Sequence, residues 1–172
     1  MTYIVHDNTV YGLTTGQRSP TSDKGFKSKS TPHGSIDMPI NPLTLALSAH
    51  CTFVARGYAG DPKGLANLIL KGIEHKGFAL IDVMQPCVTY DKKHTYIYYK
   101  DRIKPIENHD ASNWDAAYKI ALREWGDKIP VGIFYQEQRP TYTEELKQLK
   151  DKPIAAQDIT QIDIGPILKE FE

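Results

Sequence analysis

The chain has 172 residues, 40% of them hydrophobic, and its 21 basic and 21 acidic side chains give a formal net charge of zero. This composition suffices for one folded core and offers no basic patch for nucleic acid. No apolar run approaches the ~20 residues that cross a bilayer. The first residues lack the pattern of a signal peptide, and two cysteines are too few for a disulfide framework, so we expect a cytoplasmic protein with reduced thiols.

The first predicted strand covers residues 3–5 and ends at the polar residues 6–8. Residues 12–40 are rich in Gly, Ser, Thr and Pro and are predicted to form a long loop. Asn41 followed by Pro42 is typical of a helix N-terminus, with Asn as the capping residue. The spacing of the next residues predicts one helical face with Leu43, Ala46, Leu47 and His50.

A second strand is predicted over residues 52–56. Asp61 followed by Pro62 predicts another helix, which we expect to stop at Gly77. Its apolar residues recur at helical spacing and predict one buried face. That face would carry Leu65, Leu68, Ile69 and Ile73.

Residues 78–83 form a continuous apolar run that predicts a third strand, interrupted only by Asp82. Residues 85–112 are predicted to be a long, Tyr-rich connection without regular structure. A helix is then predicted from a cap at Ser112 or Asn113 to about Trp125.

A last strand is predicted over residues 131–135. Continuous apolar strands alternating with helices predict an α/β fold with a largely parallel sheet and flanking helices. We expect one domain over residues 1–140 and a polar C-terminal tail over 141–172. Because ligands of such sheets bind beyond the carboxyl ends of the strands, residues 6–8 and 85–87 are candidate site positions.

The segment from Asp7 to Thr21 carries the strongest chemical signal and reads Asp-Asn-Thr-Val-Tyr-Gly-Leu-Thr-Thr-Gly-Gln-Arg-Ser-Pro-Thr. Amide and carbonyl oxygens are ligands of Mg²⁺, while backbone N–H groups in a Gly-containing loop suit phosphate oxygens. The residues alone also fit a strand followed by an Asx turn and a polar loop. A generic nucleotide-binding α/β protein is disfavoured, because its Gly-rich loop directly precedes a helix.

Cys87 stands just beyond a predicted strand and after Pro86. By itself it fits a buried cysteine acting as a small hydrophobic residue. The chain has no CxxC motif and cannot build a four-thiolate metal site alone. Cys51 lies between a helix and a strand with no motif around it, and we interpret it as a core residue.

The first segment resembles the thiamine-diphosphate loop of 2-oxoacid:ferredoxin oxidoreductase β subunits, Asp-Asn-x-x-Tyr-Gly-Leu/Met-Thr-x-Gly-Gln followed by Ser-Pro-Thr. The resemblance implies a thiamine-diphosphate-binding fold. It implies that the Asn8 side chain and the Val10 carbonyl ligate Mg²⁺. Thr15 stands where many relatives carry Lys or Gly, which leaves the preferred 2-oxoacid open. The residues implied to lie along the diphosphate are Tyr11, Gly12, Leu13 and Thr14.

The Pro-Cys-x-Thr-Tyr element around Cys87 also resembles this family, in which that cysteine is the last ligand of a 4Fe-4S cluster. Residues 52–57 and 126–136 resemble family segments as well. The resemblance implies oxidative decarboxylation of a 2-oxoacid to an acyl-CoA with reduction of ferredoxin. The implied partners are an α subunit, ferredoxin, the 2-oxoacid and coenzyme A, with no nucleic acid or membrane.

The family pattern also includes parts that this sequence lacks. Before the first strand, β subunits carry the other cluster cysteines and a Gly-Asp-Gly-Asp motif that supplies a further Mg²⁺ ligand. We therefore expect a fold that is incomplete at its N-terminus, and either a partner chain or self-association. The alternative function is a non-catalytic fragment or association module that lacks cofactor.

The remaining polar and aromatic residues give weaker signals. His6 adjoins the loop motif and could touch a ligand, and Arg18 and Arg56 could meet a carboxylate or phosphate or be solvated. We expect the Tyr-rich stretch at Tyr90, Tyr96, Tyr98 and Tyr99 to form a contact between subunits. Four histidines are expected at exposed loops or helix ends: His33, His75, His94 and His109.

Overall fold

The structure is a computed structural model that describes residues 1–122, 128–149, 151–158, 160 and 162–171. The chain divides into two compact units, Met1–Arg139 and Pro140–Glu172. Unit 1 contains every strand named below, and the candidate site lies within it. Over the described residues, no helix is long and apolar enough to cross a membrane.

Unit 1 is built on a five-stranded sheet in the order β1-β5-β4-β7-β6. The β1–β5, β5–β4 and β7–β6 pairs are parallel, and the β4–β7 pair is antiparallel. The predicted α/β fold with a largely parallel sheet is therefore confirmed. The strands are β1 (Thr2–Asp7), β4 (Phe53–Tyr58), β5 (Ala79–Met84), β6 (Ile103–Pro105) and β7 (Ile129–Gln136).

Two further strands form a separate small hairpin, β2 (Val10–Tyr11) with β3 (Gln17–Arg18). The second of these falls inside the stretch predicted as a loop without regular structure. Strands of two residues are too short to give a detectable period-2 pattern, so the sequence could not reveal them.

Helices cover both faces of the sheet: α1 (Pro42–Ser48), α2 (Pro62–Glu74), α3 (Tyr96–Arg102) and α4 (Trp114–Leu122). On one face, α1 and α4 pack around Val54 and Phe134. On the other, α2 packs around Phe53 and Ile81. A third cluster at the carboxyl ends of β4 and β5 joins Tyr58, Met84, Tyr99 and Ile129.

The predicted N-caps of α1 and α2 are confirmed. The Asn41 side chain accepts from Leu43 and Thr44, and the Asp61 side chain accepts from Gly64. The predicted helical faces were too long, because each helix ends before the last residue assigned to it or leaves that residue exposed. His50 lies beyond α1 with φ 57° and is exposed, and Ile73 is 65% exposed at the end of α2.

The prediction that residues 85–112 lack regular structure was wrong. They contain α3 and β6, and Thr95 caps α3 by accepting from the Tyr98 N–H at 3.2 Å. Asn113 caps α4 as predicted, with its side chain accepting from Ala116 at 3.0 Å. The predicted end of that helix near Trp125 lies outside the described residues.

Unit 2 consists of short helical segments: α5 (Tyr142–Glu145), α6 (Gly165–Leu168) and 3-10 turns at Lys147–Leu149, Ile154–Ala156 and Lys169–Phe171. At the start of α5, the Thr141 N–H donates to the Glu144 carboxylate at 2.7 Å. None of the described side chains of these segments is buried.

Candidate functional site

The two candidate segments meet at one edge of the sheet, because β1 and β5 are neighbouring parallel strands. Asp7 at the end of β1 is in register with Met84 at the end of β5. Immediately beyond, the Gln85 N–H donates to the Asp7 carbonyl at 3.0 Å. The side chains of His6 and Gln85 are hydrogen-bonded at 2.6 Å. The chain thus leaves both strands at the same place, as expected for ligand-binding loops of a parallel sheet.

The predicted cofactor loop is the tip of the β2–β3 hairpin. Its turn is closed by hydrogen bonds from Gly16 N–H to the Tyr11 carbonyl at 2.9 Å and from Thr15 N–H to the Gly12 carbonyl at 3.2 Å. Thr15 and Gly16 have φ values of 73° and 98°. The tip points its side chains to solvent, and Leu13 is 99% exposed. The backbone from Tyr11 to Thr14 is therefore accessible to a ligand.

A tight turn at Asn8, Thr9 and Val10, here the Asn8–Val10 turn, joins β1 to the hairpin. The Asn8 side-chain oxygen accepts from the Val10 N–H at 3.2 Å. Thr9 lies in the left-handed region with φ 60°. Asn8 is half-buried, whereas the side chains of Thr9 and Val10 are buried.

The segment from Ser19 to Asp23 wraps around this turn. Thr21 donates its hydroxyl to Asp7 Oδ1 at 2.5 Å, and Ser22 donates its hydroxyl to the Thr9 carbonyl. Burial raises the pKa of Asp7, and the hydrogen bonds from Thr21 and Thr9 offset part of that rise. The Ser-Pro-Thr part of the motif thus packs the turn from behind.

On its other side, the turn contacts a buried charged network from the segment after Cys87. Thr9 donates its hydroxyl to Asp91 Oδ2 at 2.5 Å. His94 Nδ1 lies 2.6 Å from the same oxygen, and His94 Nε2 lies 3.4 Å from Asp23 Oδ2. Lys93 forms an ion pair with Asp23. These contacts tie the loop after β1 to the loop after β5.

The network fixes its own protonation state. Burial opposes the charge on His94, but the carboxylates of Asp23 and Asp91 outweigh it and raise the His94 pKa to about 9. Hydrogen bonding to His94 lowers the pKa of Asp23 to about 2. Burial would raise the pKa of Asp91, yet hydrogen bonds from His94 and Thr9 hold it well below its usual range. At neutral pH the network is one imidazolium between two carboxylates.

Cys87 lies beside the hairpin. A Cβ built on Gly12 would be 3.9 Å from the Cys87 Sγ, and one built on Gly16 would be 2.8 Å from the Tyr90 ring. Cys87 is partly exposed, whereas Cys51 is buried and donates its thiol to the Phe53 carbonyl at 3.2 Å. Burial raises the pKa of Cys51, so its predicted core role is confirmed.

Beneath the site, Arg56 and Asp82 form a fully buried ion pair, with Nε 2.9 Å from Oδ2. The alternative of a solvated Arg56 was therefore wrong, and Asp82 is its partner across β4 and β5. Burial raises the pKa of Asp82 to about 6, and nearby Arg56 limits that rise. Because the Asp7 carboxylate also acts on Asp82, the pair belongs to the electrostatic surroundings of the Asn8–Val10 turn.

Several side chains lie elsewhere than predicted. His75 and His94 are buried, while His33 is exposed as predicted. Tyr99, expected at a contact between subunits, is 1% exposed and belongs to the core. Arg18 pairs with Asp37 in the long loop. The residues that the sequence did not single out are Asp91 and His94, whose i, i+3 spacing after the Cys87 element is the one signal that could have drawn attention to them.

The donor atoms of the site suit a partial coordination shell. Asn8 supplies an amide oxygen and Val10 a backbone carbonyl, which are oxygen donors of the type that Mg²⁺ takes together with substrate phosphates. Cys87 supplies one thiolate. Across the parts of the chain that the structure describes, no group of three or more His, Cys, Asp or Glu side chains is arranged to hold a metal ion.

Comparisons with known proteins agree with this geometry. Residues 1–83 match the family model of the thiamine pyrophosphate enzyme, C-terminal TPP binding domain, and residues 87–151 match that of the C-terminal part of the pyruvate ferredoxin oxidoreductase beta chain. The first match covers β1, the hairpin, β4 and most of β5, and the second begins at Cys87. Fold and site thus define a thiamine-diphosphate enzyme module.

Individual relatives narrow the class. A 2-oxoacid:ferredoxin oxidoreductase subunit beta from Saccharolobus solfataricus is 42% identical, with 99% of this chain and 63% of the relative covered. Another from a Sulfolobus species is 47% identical over 86% of this chain and 52% of the relative. The solved 2-oxoglutarate:ferredoxin oxidoreductase from Magnetococcus marinus, which has 2-oxoglutarate, coenzyme A and succinyl-CoA bound, matches with a TM-score of 0.87 and 37% identity over 100% of this chain.

The chain therefore belongs to the β-subunit family of the 2-oxoacid:ferredoxin oxidoreductases, and its relatives are subunits of enzymes. It spans about half to three-fifths of the length of these relatives, namely 63%, 52% and 58% of the three chains.

Proposed function

We propose that this chain supplies the thiamine-diphosphate and Mg²⁺ loop of a 2-oxoacid:ferredoxin oxidoreductase, together with one ligand of a 4Fe-4S cluster. In this proposal the Asn8 side chain and the Val10 carbonyl hold Mg²⁺. Tyr11, Gly12, Leu13 and Thr14 lie along the diphosphate, and Cys87 gives the cluster ligand.

The observation that carries the proposal is the meeting of the two segments at the carboxyl ends of β1 and β5. Cys87 Sγ is 3.9 Å from a Cβ built on Gly12. A thiolate beside the cofactor loop would place a redox centre close to the cofactor from which electrons leave. Packing alone does not require the cysteine to lie there, because Cys87 is only partly buried.

Each part of the loop has a physical task. Bound thiamine diphosphate supplies the carbon nucleophile for decarboxylation of the 2-oxoacid, while the protein binds and orients it. The hairpin turn holds exposed backbone N–H groups for phosphate oxygens. The Asn8–Val10 turn presents two neutral oxygens, so most of the charge that balances Mg²⁺ would come from the diphosphate.

The proposal extends to partners. We assign the chain to an assembly with an α subunit that acts on a 2-oxoacid and coenzyme A and passes electrons to ferredoxin. The support is the naming of the relatives as β subunits and the ligands of the Magnetococcus marinus enzyme. Strongly exposed apolar side chains in and after the hairpin, which suit a protein contact, are Leu13, Ile36 and Met38. Free thiols at Cys51 and Cys87 accord with a cytoplasmic location.

A second candidate function is a non-catalytic association module of the same fold. The observation in its favour is the limited donor set, since the described residues offer two neutral oxygens and one thiolate. The exposed apolar side chains of the long loop would serve such a module equally well.

Calorimetric titration of the purified chain with thiamine diphosphate and Mg²⁺ separates the two. Binding at micromolar Kd that is lost in Asn8→Ala is the result that the cofactor proposal expects. Asn67→Ala is the matched control, because Asn67 is exposed on α2, and it should bind like the parent chain. A folded parent chain that binds neither ligand would leave the association module as the function.

A further inference from the structure

Thr9 occupies a backbone conformation that its side chain disfavours. Its φ of 60° lies in the left-handed region, where a β-branched residue is an outlier. Such conformations persist only where the surrounding structure holds them, and they cluster at ligand-binding sites. Thr9 stands between Asn8 and Val10, so its conformation decides how the side chain of the first and the carbonyl of the second are directed.

Three contacts hold Thr9. Its N–H donates to Asp7 Oδ1 at 3.2 Å, and its carbonyl accepts from the Ser22 hydroxyl. Both partners are close in sequence and belong to the same loop. The third contact comes from a distant segment: the Thr9 hydroxyl donates to Asp91 Oδ2 at 2.5 Å, 82 residues further along the chain.

Asp91 is itself fixed to an unusual degree. Its Oδ1 accepts from the backbone N–H groups of Lys93 at 2.8 Å and His94 at 3.1 Å. Its Oδ2 takes the Thr9 hydroxyl and the His94 ring at 2.6 Å. The carboxylate is 3% exposed. A buried carboxylate with this many partners has one orientation and can impose it on Thr9.

We propose that Asp91, oriented by His94, is a positioning residue that holds Thr9 in the left-handed conformation and thereby sets the Asn8–Val10 turn for ligand binding. The effect on ligand affinity rests on the proposed thiamine-diphosphate function. The conformational part rests on the contacts above alone. Partners that orient metal ligands in this way typically change metal affinity roughly 10- to 100-fold when they are removed.

The mechanism predicts that Asp91 matters only while residue 9 needs to be held. Glycine adopts positive φ without a Cβ penalty. In the full-length chain, Asp91→Ala should weaken the Kd for thiamine diphosphate with Mg²⁺ roughly 10- to 100-fold. In a Thr9→Gly background the same change should alter the Kd by no more than about twofold, the limit expected of independent sites.

A measurement without ligand tests the conformational part. NMR couplings and chemical shifts of the full-length chain report φ of residue 9. We expect positive φ in the parent chain and in Asp91→Asn, which keeps an oxygen for the Thr9 hydroxyl, and negative φ in Asp91→Ala. Because Asp91→Asn keeps the acceptor, it remains informative even if Asp91→Ala fails to fold: positive φ with parent-like affinity supports the inference, and negative φ overturns it.

The outcomes distinguish this inference from the proposed function. Positive φ in Asp91→Ala overturns the positioning role while the cofactor function stands, and so does an equal loss of affinity with and without the Thr9→Gly change. A parent chain that binds no thiamine diphosphate defeats the proposed function, and the φ of residue 9 still decides whether Asp91 positions the turn.

Discussion

At the scale of single residues, the site is organised by buried charges that the apolar pattern of the strands conceals. Asp82 interrupts an apolar run and pairs with Arg56, and His94 joins two carboxylates. Burying an ion is costly unless it is paired. These pairs therefore fix how β4, β5 and the loops beyond them fit together.

The charge on His94 makes stability depend on pH. Its folded-state pKa of about 9 lies above the ordinary 6.5. The contribution is therefore fully present below pH 6.5 and lost as pH rises through 9. Between these values the parent chain should lose on the order of 3 kcal/mol more of its free energy of unfolding than His94→Gln. Urea unfolding at a series of pH values measures this difference.

His33→Gln is the control for that series, because His33 is exposed. It should follow the pH profile of the parent chain. A parallel profile for His94→Gln would mean that His94 is not charged in the folded protein.

At the scale of elements, the hairpin tip depends on glycine at one position for two reasons. Gly16 has φ 98°, and a Cβ there would lie 2.8 Å from the Tyr90 ring. Gly16→Ala therefore combines backbone strain of roughly 1–2 kcal/mol with overpacking of roughly 1–3 kcal/mol. It should also displace the tip and weaken ligand binding.

Gly25→Ala separates the two contributions. Gly25 has φ 85°, and nothing lies within 4 Å of a Cβ built there. This variant should lose only the strain part of the free energy of unfolding, measured by urea titration, and should retain ligand affinity. Equal losses in both variants would show that the Tyr90 contact does not support the hairpin.

Elements with local signals could be predicted, and those stabilised by distant contacts could not. Asn41 and Asp61 mark helix starts because a capping side chain acts within three residues. By contrast, α3 lies in a Tyr-rich stretch that became helical through packing of Tyr99 against Tyr58 and Met84. The site followed the same rule: the motif around Asn8 was visible in sequence, but the contact of Thr9 with Asp91 spans 82 residues.

At the scale of the whole molecule, the three buried clusters all lie within unit 1. We propose a domain boundary near residue 140, with 141–172 as a tail, although the family match continues to residue 151. A chain ending at Arg139 should then unfold cooperatively in urea at the midpoint of the full-length protein. A non-cooperative transition would show that unit 2 is needed for the fold.

Every functional proposal above depends on a metal diphosphate binding at the Asn8–Val10 turn and the hairpin tip. A crystal structure of the full-length chain grown with thiamine diphosphate and Mg²⁺ would show whether it does. We expect diphosphate oxygens against the backbone of Tyr11 to Thr14, with Mg²⁺ bound by the Asn8 side-chain oxygen and the Val10 carbonyl. A diphosphate bound elsewhere, or a hairpin left empty at saturating ligand, would refute the proposed cofactor site.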